Sequence, residues 1–67
     1  MPEDRMKMIG EIRTMLPKLW KANKFELTKE IMGGINHHDF SGVSDVTVRK
    51  IWLDLCDAAR RLPGEPA

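Results

Sequence analysis

A chain of 67 residues, 42% hydrophobic and 31% charged, with two Trp, two Phe and no Tyr, has material for one small domain. That excludes a second domain and any enzyme built around a large enclosed cleft, and the single cysteine, Cys56, excludes a disulfide within the chain. Eleven Lys and Arg against ten Asp and Glu leave a net charge of +1, so the distribution of charge has to be read rather than its sum.

The first helix is predicted from Pro2 to about Trp20. Ile9, Ile12, Leu16 and Leu19 recur at steps of three, four and three, and Met8, Met15 and Trp20 widen that stripe. Pro2, Glu3 and Asp4 suit a helix start, where a missing N–H costs nothing and acids meet the positive end of the dipole. Pro17 removes a backbone donor inside the pattern, which predicts a kink or two abutting helices. The pattern resets at Asn23 and Lys24, and Phe25 to Met32 reads as a short second helix with Leu27 and Ile31 on its buried side and Gly33-Gly34 ending it. Ile35 to Gly42 has no sustained period and is predicted to be a loop, with Phe40 turned inward. Ser44 is an N-cap candidate for a third helix from Asp45 to about Leu62, in which Val48, Ile51, Leu55, Ala58 and Leu62 repeat at three, four, three and four. Pro63-Gly64 would stop it, leaving residues 63–67 as a frayed tail. The fold class expected is all-α, three to four helices in a single domain.

Gly42-Val43-Ser44, followed by Val48 and Ile51, resembles the second half of a helix-turn-helix DNA-binding unit: glycine and an aliphatic residue through the turn, a capping serine, then two aliphatic anchors. Glu26-Leu27 and Ile31 look like the first helix of that unit, with Thr28 and Lys29 on its outside. Met32 to Ser41 is a departure, a block of about ten residues where the family has a tight turn. The resemblance implies a small bacterial or phage transcriptional regulator, of the size of the autorepressors that accompany anti-CRISPR genes. It would bind double-stranded DNA as a homodimer and act as a repressor, with helix 45–62 in the major groove. Asp45, Val46, Arg49 and Lys50 would then read bases, Arg49 by a bidentate guanine contact.

Phosphate contacts are expected from the most basic window, Arg13 to Lys29, where Arg13, Lys18, Lys21, Lys24 and Lys29 face a single acid, Glu26. Lys18, Lys21, Lys24, Thr28 and Lys29 are its candidates, with Ser44 and Thr47 at the start of the third helix. Apolar side chains in excess of one stripe suggest a dimer interface through Met8, Trp52, Cys56 and Ala59. His37-His38-Asp39 invites a metal reading, but neighbouring loop histidines are expected to point apart, and no third and fourth ligand stands at useful spacing. Turn structure, or a phosphate contact when protonated, is the expected role of these residues.

No catalytic constellation stands out, so no enzyme activity, cofactor or small-molecule substrate is expected. The acidic start and the lack of any apolar run near the roughly 20 residues of a membrane span point to a cytoplasmic protein with a free thiol. The rival expectation is a small helical protein-interaction module, a phage inhibitor or an antitoxin-like partner, favoured by the near-zero net charge.

Overall fold

The long apolar stripe of the N-terminal segment becomes α1, Pro2–Lys21, in a computed structural model that describes residues 2–62. Phe25–Met32 forms α2 and Asp45–Arg60 forms α3, so the domain is all-α, with no strand among the described residues. None of these helices is long and apolar enough to cross a membrane. The expected stop at Pro63-Gly64 and the tail 63–67 lie outside the described residues.

α1 continues as one helix through Pro17, so the two abutting helices are not formed. Pro17 is on the exposed side, where the Arg13 carbonyl that loses its helical donor stays within reach of solvent. Ile12, Leu16 and Leu19, all at most 1% exposed, anchor the helix to the core on both sides of it. From α3 the same core receives Val48, Ile51, Leu55 and Ala58, the face its spacing predicts. Burying each of the Val, Ile and Leu side chains contributes about 1.5–3 kcal/mol.

Helix α2 presents a different face from the predicted one. Thr28 and Met32 are buried, whereas Leu27 is 38% exposed and Ile31 half-buried. The physical reason is that Thr28 is fully satisfied inside: its hydroxyl donates to the Phe25 carbonyl (2.7 Å) and accepts from Trp20 Nε1 (3.2 Å). Gly33 closes the helix in the left-handed conformation (φ 60°), its N–H donating to the Lys29 carbonyl.

Two cross-links fix the direction of the long helices. Arg5 pairs with Asp45 (2.7 Å), and Trp52 Nε1 donates to Glu11 Oε1 (2.7 Å). Both partners climb together along their helices, so α1 and α3 lie side by side and run the same way. The return is made by α2 and the connector 33–44, which descends along α1. Arg13 donates to the carbonyls of His37 (2.9 Å) and His38 (3.3 Å), and Arg5 donates to that of Phe40 (2.8 Å). Phe40 is 4% exposed and pins the connector to the core, as its loop position suggested. The block longer than a tight turn is thus the stretch that carries the chain from one end of the domain to the other.

Candidate nucleic-acid interface

Ser44, in extended conformation, caps α3 by accepting from the Thr47 N–H (3.2 Å), and the two hydroxyls lie 2.9 Å apart. Capping fixes the first two turns, from which Val46 projects with 79% of its surface in solvent, beside the exposed Arg49 and Lys50 one turn on. Asp45 is placed differently from these three: its carboxylate is held by Arg5, although its side chain remains 69% exposed. Lys7 joins Asp4, Met8, Trp52 and Leu53 around Arg49 in one surface depression. That neighbour was missed because nothing in the sequence states that α1 and α3 are parallel.

Of the candidate phosphate contacts, Ser44 and Thr47 stand at the same helix start as Arg49, but the lysines do not form one patch with it. Lys18 and Lys21 stand in the last turn of α1, and Lys24 and Lys29 belong to the α2 region that packs beside Trp20. Met8, beside Arg49, and Lys21 are thirteen residues apart on α1, or about 20 Å at 1.5 Å per residue. Thr28, expected outside, is 3% exposed and its hydroxyl is already engaged, so it drops out as a phosphate contact. Arg13, counted in the basic window, is occupied by the connector carbonyls.

Met8, Trp52, Cys56 and Ala59 are all partly exposed, and Met8 and Trp52 pack against the core of their own chain. Burial, then the Glu11 carboxylate, pushes the Cys56 thiol up, away from a nucleophile's range. His37 and His38 do not point apart as expected: their ring centroids are 4.0 Å from each other. Both their carbonyls are drawn to Arg13 while Asn36 Oδ1 accepts the His38 N–H, a turn that gathers the side chains. No group of three or more metal-ligating side chains occurs among the described residues. Burial, His38 and Arg13 all lower the proton affinity of His37, which works against a phosphate contact by its charged form. Asp39 accepts from both the N–H and the hydroxyl of Ser41, bonds that lower its carboxyl pKa.

No family model matches this sequence, and neither a curated protein nor a solved structure matches it at a significant level.

Proposed function

We propose that this chain is a sequence-specific DNA-binding regulator of transcription, most simply a repressor, acting as a homodimer with the first two turns of α3 in the major groove. The observation that supports it is the presentation of Val46, Arg49 and Lys50 together on a capped, core-anchored helix start. A guanidinium suits the paired acceptors of guanine, and an exposed valine suits a thymine methyl. Asp4 and Asp45 border the same turns, so base contact by Val46, Arg49 and Lys50 carries this reading rather than a general attraction for phosphate. Lys7 is then the nearest phosphate partner. Lys18 and Lys21, about 15–20 Å away along α1, stand about half a duplex turn off, where they serve the flanking backbone. One domain this small offers a limited interface, and two copies on paired half-sites supply the rest.

The test is binding of the purified protein to DNA from upstream of its own coding sequence against a scrambled duplex, at two salt concentrations. Selective binding that weakens with salt is expected. Arg49→Ala should cost about 1–3 kcal/mol of that selectivity at unchanged helicity. Equal affinity for both duplexes at both salts would remove the reading. The protein-interaction module then takes its place, favoured by the exposure of Val46 and Leu53, seven residues apart on α3.

A further inference from the structure

We propose that the hollow bounded by the end of α1, by α2 and by the start of the connector binds a small planar aromatic carboxylate. Trp20 and Phe25 form one wall, their rings 6.2 Å apart and only 11° from parallel, and His37 meets the Trp20 ring edge-on at 5.5 Å. Met32 and Thr28 contribute to the lining. Phe25 is nevertheless 55% exposed, so a flat apolar ring laid against it covers surface that the chain itself leaves in water. The hollow measures about 650 Å³, within the range of small-ligand sites, and is broadly open to solvent on one side.

Charge selects the ligand's other end. Lys29 is the sole ionised side chain at neutral pH among the described residues lining the hollow, and neither carboxylate of α2, Glu26 or Glu30, takes part in it. Lys29 has no carboxylate at ion-pair distance among the described residues. Lys21 and Lys24 flank the turn that joins Trp20 to Phe25 and keep the local field positive. Thr28 is already spent on Trp20 and the Phe25 carbonyl, so the ammonium of Lys29 is the free group that fixes orientation. Such a ligand is bound and not transformed, and the hollow lies at the opposite end of the domain from Arg49, so the proposal stands apart from the DNA reading.

The two tryptophans make the experiment self-controlled, because Trp20 lines the hollow while the Trp52 indole is tied to Glu11. In ¹⁵N-labelled full-length protein, titration with 2-naphthoate should move the Trp20 indole N–H resonance saturably and leave that of Trp52 in place. The neutral isostere 2-naphthamide should bind about tenfold more weakly. Lys29→Gln should abolish that preference, and Phe25→Ala should weaken both probes while the Trp52 resonance reports an intact fold. An unmoved Trp20 resonance, equal affinities in the unaltered protein, or equal shifts at both tryptophans would overturn the proposal.

Discussion

Thr28 shows how a single hydroxyl decides which way a short helix faces. It gives its proton to the Phe25 carbonyl and takes the Trp20 indole proton, so a polar residue is buried at 3% exposure with nothing unpaired. Thr28→Val keeps the shape and removes both bonds. It should lower stability in urea unfolding by about 1 kcal/mol and shift the Trp20 indole resonance. This arrangement was not legible in the sequence, since Leu27 and Ile31 offer α2 an equally good apolar pair and the partner of Thr28 stands eight residues away, in α1. Cys56, expected at a dimer interface, is a partly buried free thiol in the structure. Its raised pKa predicts slow alkylation by iodoacetamide at neutral pH in the folded protein and fast alkylation once urea unfolds it.

At the scale of elements, the helices that read most clearly were those with three or more turns of unbroken spacing. Val48, Ile51, Leu55 and Ala58 fall on the buried face of α3, and Ile12, Leu16 and Leu19 on that of α1. Eight residues of α2 complete barely two turns, too few for a stripe to outweigh local bonding. At Pro17 the opposite holds: packing on both sides outweighs the lost bond and the clash, and α1 continues as one element. Pro17→Ala should therefore return up to about 3 kcal/mol, read as a higher urea midpoint with no gain in core burial. The capped start of α3 was legible too, because a serine cap and the residues one turn beyond it are local. Its separation from the lysines was not, because that depends on where α2 comes to rest.

For the molecule as a whole, two arginines of α1 do what no local pattern announces. Arg13 and Arg5 hold three carbonyls of the connector, those of His37, His38 and Phe40. Replacing both by Ala should speed amide hydrogen exchange across residues 36–42 far more than in the core of α1 or α3. The parallel course of α1 and α3 also bears on how the chain reaches this structure. Its cross-links join residues 40 and 41 positions apart, so the central interface cannot grow outward from a helical hairpin. A long loop must close before that packing is gained, and each doubling of loop length costs about 0.6 kcal/mol of entropy. Stopped-flow refolding should accordingly be slow for an all-helical chain of this size, in milliseconds or longer rather than microseconds. The speed usual for helices is given up so that both long ones start at the same end of the domain.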